Sequence, residues 1–166
     1  PDGLQIAFES NRIRKLGPNV PTSPSLPGAT PDGGLVNWDI YVMDADCGDL
    51  PDCRDDRIRN LSQHTSQDSN PAWSPDGQWI AFSSRRDGNL EVYLVAAEGG
   101  EPRNLTNNPN EDSSPAWSPD SKQIAFQTNR DRSYSDEIYV IDLASGQTER
   151  LTYSYGSNRY PAWWPD

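Results

Sequence analysis

The residues with chemistry to offer fall into three groups. Asp68, Asp112 and Asn158 each stand three places ahead of a Pro-Ala-Trp triplet, with Glu111 beside the second of them. Oxygen donors of this kind suit a hard cation such as Ca²⁺; the same residues serve equally as acceptors of backbone hydrogen bonds in Asx turns. A second, acidic group opens with Asp44 and Asp46, spaced as at the start of a calcium loop. Its fifth position is Gly48 and its sixth Asp49, whereas an EF-hand needs an oxygen ligand and then glycine, so a solvated acidic loop fits as well. The third group is aromatic and polar: Tyr153, Tyr155 and Arg159 lie close together, and His64 occupies a similar stretch between Leu61 and Pro71. With one histidine and two cysteines, the chain has no means of building a multi-histidine metal site or a four-ligand zinc site alone. No G-x-S-x-G nucleophile motif occurs, and nothing in the sequence selects a catalytic carboxylate pair.

Composition narrows the classes further. There are 25 acidic and 14 basic residues, a formal charge of −11 that repels phosphate backbones and argues against nucleic acid as partner. Only 33% of the residues are hydrophobic, yet 6 Trp, 7 Tyr and 3 Phe predict a folded chain whose burial is concentrated in large rings. No apolar run approaches the roughly 18–20 residues a bilayer-spanning helix needs, so no membrane insertion is expected. The sequence opens on Pro1-Asp2-Gly3 with neither Met nor a signal peptide and reads as a mature or trimmed segment.

What positions these residues is a repeat. The segment at 70–82, NPAWSPDGQWIAF, returns at 114–126 as SPAWSPDSKQIAF; its beginning closes the chain as YPAWWPD and its end opens the chain as PDGLQIAF. Between copies come a Tyr-centred segment (DIYVMD, EVYLVA, EIYVID), a Leu-Ser/Thr ending and a polar loop. From Ile6, Ile80 and Ile124 to Tyr41, Tyr93 and Tyr139 the steps are 35, 13 and 15; from there to Leu61, Leu105 and Leu151 they are 20, 12 and 12. The last steps, to Pro71, Pro115 and Pro161, are 10 each. Each unit of about 44 residues reads as four short strands joined by Pro-Asp-Gly, Arg-Asp-Gly, Gly-Gly or Ser-Gly turns, the signature of an all-β propeller of four-stranded antiparallel blades. Blade 1 is 1–61 plus a strand at 160–164, blade 2 is 70–106 and blade 3 is 114–152.

The pattern SPDG-x-x-IAF-x-(S/T)-x-R-D, followed by (E/D)-(I/V)-Y and L-(S/T), resembles the WD-like propeller repeat of the TolB family, which also occurs in propellers of prolyl-oligopeptidase-type enzymes. The resemblance spans nearly the whole chain outside two insertions; Ser121 departs from the usual Gly, and Trp164 replaces the Ser74 and Ser118 of the other copies. It implies an exported protein of the bacterial envelope, periplasmic or extracellular, that engages partners by contact. In such a protein Cys47 and Cys53 are expected to be bonded, pinning a loop crowded with Asp44, Asp46, Asp49, Asp52, Asp55 and Asp56.

Propellers have typically 4–8 blades, so three are too few to close a ring. The expectation is therefore a six-bladed homodimer with strand-swapped closure, each 160–164 strand entering the other copy's first blade; the alternative is a piece of a longer propeller. In a blade, the loops joining strands two to three and four to the next first strand share one face, here called the mouth. The proline-rich insertion between Asn11 and Asn37 falls there, as do Tyr153, Tyr155 and Arg159; it reads as a binding loop, an assembly device or a tolerated insertion. Trp73, Trp117 and Trp163 recur, as do Phe8, Phe82 and Phe126 and the tyrosines of the third strands, and are assigned to packing between blades. Arg85 or Arg86 with Asp87, and Arg130 with Asp131, are expected to tie adjacent blades. Trp38, Trp79, Trp164, Tyr134, Tyr153, Tyr155 and Tyr160 break the repeat and are the better ligand contacts. Asn60-Leu61-Ser62 and Asn104-Leu105-Thr106 match the glycosylation sequon at repeat landmarks, which reads as coincidence. The expected function is a non-catalytic scaffold binding a protein or peptide at the mouth. A cation- or glycan-binding ring and an accessory segment of a hydrolase are the alternatives.

Overall fold

The computed structural model describes residues 5–11, 37–45, 58–131, 135–153 and 155–164. Among them are three antiparallel sheets. The first is β1 (Gln5–Ser10), β2 (Asp39–Asp44) and β3 (Arg59–Asn60); the second is β4 (Asp68–Trp73), β5 (Trp79–Ser84), β6 (Glu91–Ala96) and β7 (Arg103–Asn104). The third is β8 (Asp112–Trp117), β9 (Gln123–Thr128), β10 (Glu137–Asp142) and β11 (Thr148–Arg150). Each is a meander whose neighbours in sequence are neighbours in space.

Period-two alternation explains why the middle strands are so apolar. Along β6, Val92 and Leu94 enter a core shared with Trp117, Ile124, Phe126, Tyr139 and Ile141 of the third sheet. Tyr93 and Val95, on the opposite side, enter a core shared with Ile40, Val42 and Leu61 of the first. A strand with a neighbour on both faces has no face left for water, so its first five residues are all buried. Phe82 and Phe126 are the largest fully buried side chains of the two cores.

Turns follow the repeat chemistry. Ser74 closes the β4–β5 turn by accepting from the Gly77 N–H at 2.9 Å, and Gly77 takes a φ of 73°. Ser121 holds the same place in the β8–β9 turn with a φ of 60°, where glycine would be easier. Its hydroxyl accepts from the Asp76 N–H at 3.0 Å, so the departure from Gly links the turns of adjacent blades.

Two boundaries differ from the sequence reading. Asp68 and Asp112, read as loop residues, begin the first strands, paired with Ser84 and Thr128. The ladder reaches them because a one-residue bulge is absorbed at Asn70 and Ser114, with φ of 53° and 55°. The fourth strands are two or three residues long, and Leu61, Leu105 and Leu151 follow them, each N–H still donating to the third strand at 2.8 Å. Segment 160–164 pairs with no described strand.

Because Phe126 is fully buried between two sheets while Phe8 is only partly covered, truncation should separate them. Phe126→Ala is expected to cost about 3–5 kcal/mol and Phe8→Ala less than half of that, measured by urea denaturation. Equal costs would contradict the two-sided burial.

Candidate functional site

The mouth is organised from beneath by a carboxylate at the head of each third strand. Glu91 accepts from the Asn108 N–H at 2.9 Å, the Asn89 amide at 3.0 Å and the Thr106 hydroxyl. Glu137 accepts from the Thr152 hydroxyl and the Asn158 amide, the latter at 3.1 Å, and forms an ion pair with Arg150 at 2.9 Å. In the first blade Asp39 does the same for the amides of Asn60, at 2.7 Å, and Asn37, at 3.0 Å. All three are at most 2% exposed, and each carboxylate is surrounded by donors from the segments before and after its strand. Sequence reasoning quoted this (E/D)-(I/V)-Y position and gave it no role. Recurrence of an acid at the head of an apolar strand was the signal available.

A second unit lies beside the first. The Arg86 guanidinium rests 5.5 Å from the Phe82 ring centroid and 4.6 Å from that of Tyr93, and pairs with Asp68 at 3.4 Å. Arg130 repeats this on Phe126 and Tyr139, at 5.2 and 4.7 Å, and pairs with Asp112 at 2.8 Å. Burial raises the pKa of Asp68 and Asp112, opposed by hydroxyl hydrogen bonds (Ser84 and Ser62; Thr128) and by the arginines. The expected Arg–Asp ties are thereby corrected. Each arginine pairs within its own blade, held there by two aromatic rings, while Asp87 and Asp131 accept the hydroxyls of Tyr93 and Tyr139. Burial and then the hydrogen bond to Asp131 push Tyr139 up to about 12. Ties between blades run instead from Arg86 to the Ser62 carbonyl at 3.2 Å and from Arg85 to Glu111, beside the first strand of blade 3, at 3.2 Å.

The candidate residues separate accordingly. Asp68 and Asp112 are fully buried and engaged by arginine, and Asn158 donates to Glu137. Among the described residues no cluster of three or more His, Cys, Asp or Glu is placed to hold a metal ion. Asp44 ends β2 and accepts from the Gln5 amide at 3.1 Å; Asp46, Cys47, Cys53 and Tyr134 lie outside the described residues. His64 is a loop-closing residue: its Nδ1 accepts from the Ser66 N–H at 3.1 Å, as Asn108 Oδ1 accepts from the Asn110 N–H at 2.9 Å. The sequon residues are likewise occupied, Asn60 by Asp39 and Asn104 by Asp87.

Tyr153, Tyr155 and Arg159 remain on the surface. Tyr153 is 74% and Tyr155 97% exposed. Their counterparts in the other two loops, Gln63 and Asn107, Thr65 and Pro109, are exposed as well, so these positions face solvent wherever a neighbouring blade is present. Arg150 lies 4.7 Å from the Tyr153 ring centroid, and Arg159 is tied to Asp136. The arrangement offers large flat rings on a loop whose backbone is fixed from below, suited to burying another surface rather than to bond-making chemistry.

Comparison with known proteins agrees with the geometry. Residues 39–132 match the family model of the tricorn protease N-terminal beta propeller domain. An uncharacterized protein of Agrobacterium fabrum is 31% identical over 80 residues, covering 43% of this chain and 25% of the relative. The Tol-Pal system protein TolB of Syntrophus aciditrophicus is 52% identical over 29 residues, 18% of this chain and 6% of the relative. Among solved structures, a TolB candidate from Agrobacterium tumefaciens superimposes with a TM-score of 0.59 at 24% identity, over 79% of this chain and 51% of that one. A puromycin-hydrolyzing peptidase of Mycobacterium tuberculosis reaches 0.56 at 17% identity, over 72% of this chain and 18% of that one. The chain thus spans a quarter or less of the curated relatives named and about half or less of the solved ones.

The raised pKa of Asp112 has a definite sign. Burial lifts its folded-state pKa above the ordinary aspartate value of 3.8, so the folded state holds the proton more tightly. That contribution is therefore largest in acid and is lost as pH climbs through the folded-state pKa. Arg130→Leu removes the opposing cation, and its unfolding free energy is expected to fall relative to wild type as pH climbs above about 4, by up to about 1.4 kcal/mol per unit. Adding Asp112→Asn should abolish that difference in slope. A variant tracking wild type across the range would show that Arg130 does not hold this charge.

Proposed function

The chain belongs to the family of the tricorn protease N-terminal β-propeller domain, and from that premise we propose that it is a non-catalytic scaffold that binds a protein or peptide partner at the mouth. The observation that carries this reading is the pair Tyr153 and Tyr155, exposed where the other loops hold Gln63, Asn107, Thr65 and Pro109. Tyrosine buries a large area with only two side-chain torsions to immobilise, and it is enriched among residues that dominate interface energies. Glu137 fixes the loop through Thr152 and Asn158 before any partner arrives, which lowers the ordering cost of binding. The likeness to a Tol-Pal system protein supports an envelope location, periplasmic or extracellular.

Two other readings stand beside it, of which the first has specific support. The family's name and the peptidase neighbour favour an accessory propeller of a hydrolase, in which the partner surface is a catalytic domain. A Ca²⁺- or glycan-binding ring needs Arg86 and Arg130 to release Asp68 and Asp112, or ligands from the acidic loop that begins at Asp44. Ca²⁺ that raises the melting temperature, reversed by EDTA, would support the cation reading.

Peptide-display selection on the immobilised protein, followed by calorimetry on the selected peptides, tests the scaffold. Tyr153→Ala with Tyr155→Ala is expected to weaken binding by roughly tenfold or more while leaving the melting temperature unchanged. Affinity indifferent to both substitutions would refute the assignment of the mouth loop.

A further inference from the structure

The loops that lead from blade 1 to blade 2 and from blade 2 to blade 3 close in the same way, with one chemical difference. In the second of them the Asn108 side chain folds back on its own backbone, its Oδ1 accepting from the Asn110 N–H at 2.9 Å. The Asn89 amide then clamps the carbonyls of Asn108 and Asn110, at 2.9 and 2.6 Å. In the first loop Asn37 repeats the clamp on the carbonyls of His64 and Ser66, at 2.6 and 3.1 Å. The inner bond is repeated too, but its acceptor is a ring nitrogen: the Ser66 N–H donates to His64 Nδ1 at 3.1 Å.

An amide oxygen accepts at any pH. An imidazole nitrogen accepts only while its lone pair is free, so the neutral ring here carries its proton on Nε2. Once Nδ1 is protonated it becomes a second donor facing the Ser66 N–H, and the bond that closes the loop is lost. The charged groups around this loop are already engaged in ways that leave the ring one anion to turn to. Arg86 donates to the Ser62 carbonyl at 3.2 Å and pairs with Asp68, while Arg85 reaches away to Glu111. Asp39 is occupied by the amides of Asn37 and Asn60. Asp87, exposed on the β5–β6 turn of the following blade, is the carboxylate whose charge interacts with His64. Hydrogen bonds from Tyr93 and then Asn104 hold the Asp87 carboxyl below the usual aspartate range, so it is an anion wherever an imidazole titrates.

We propose that His64 is a proton-operated catch on the mouth: the neutral ring closes loop 62–67 by accepting from the Ser66 N–H, and the protonated ring releases it. The device is confined to one loop, because Asn108 makes the same closure with a group that does not titrate. It lies between two blades that both belong to this chain, and it operates whatever the mouth binds. Acid thereby loosens one part of the rim and leaves the neighbouring part as it was.

His64 is the only histidine of the chain, so ¹⁵N-labelled histidine gives a single ring to follow. At about pH 8 its nitrogen shifts should show Nε2 protonated and Nδ1 bare. Amide exchange, corrected for intrinsic rates, is expected to show Ser66 losing protection by about fivefold or more between about pH 8 and 5, with Asn110 unchanged. His64→Asn supplies the acceptor of the second loop, so it should hold the Ser66 amide equally at both ends of that range. A neutral ring protonated on Nδ1, a Ser66 amide indifferent to the imidazole titration, or an equal loss in His64→Asn overturns the proposal. The first two readouts use the unaltered chain and stand without the variant, and none of them involves binding at Tyr153 and Tyr155.

Discussion

A radial sheet with apolar residues on both sides has to be covered on both sides. That demand governs this chain, because β6 sends Val92 and Leu94 one way and Tyr93 and Val95 the other, and each pair enters a different core. No blade completes its own burial. Neighbours supply the cover, and the cores lie between sheets instead of within a unit. The spacing of Ile, Phe and Tyr in every copy is the sequence expression of that geometry, and so are the hydrogen bonds from the Trp117 and Trp163 indoles to the preceding blade.

Charge is handled by the same repetition. Every blade places a buried acid at the head of its third strand; in blades 2 and 3 its donors include Asn108 and Asn158 of the loop that leads onward, and in blade 1 they are Asn37 and Asn60. Beside it, in blades 2 and 3, an arginine lies against two rings and meets the aspartate that begins the first strand. Both units lie under the mouth, so its loops are held from below by groups that do not reach solvent. Loops fixed in this way can exchange outward residues, Gln63, Asn107 or Tyr153, without disturbing what holds them. A fold of this kind suits many roles, and the difference between them rests with the exposed positions.

Much of this was readable in the chain. The repeat announced the strands, the turns and the packing roles of Trp117, Phe126 and Tyr139, because each depends on local alternation and on identical neighbours in every unit. Asp68 and Asp112 show where that reading stops. As residues three places ahead of a proline they look like loop ligands, and only the bulge at Asn70 and Ser114 reveals that they are paired strand residues. His64 is similar: a lone histidine draws functional attention, yet here it performs the backbone-capping task that Asn108 performs one blade later.

What the sequence determined by itself was the architecture, since a period of about 44 residues with two-residue alternation leaves few ways to bury its rings. What only the tertiary structure decided was the pairing of charges. Arg86 and Arg130 had nearby aspartates in sequence, Asp87 and Asp131, and chose distant ones because the aromatic faces of Phe82, Tyr93, Phe126 and Tyr139 fix where a guanidinium can lie. Electrostatic partners depend on distance in space and on burial, and neither is recorded in the order of residues along the chain.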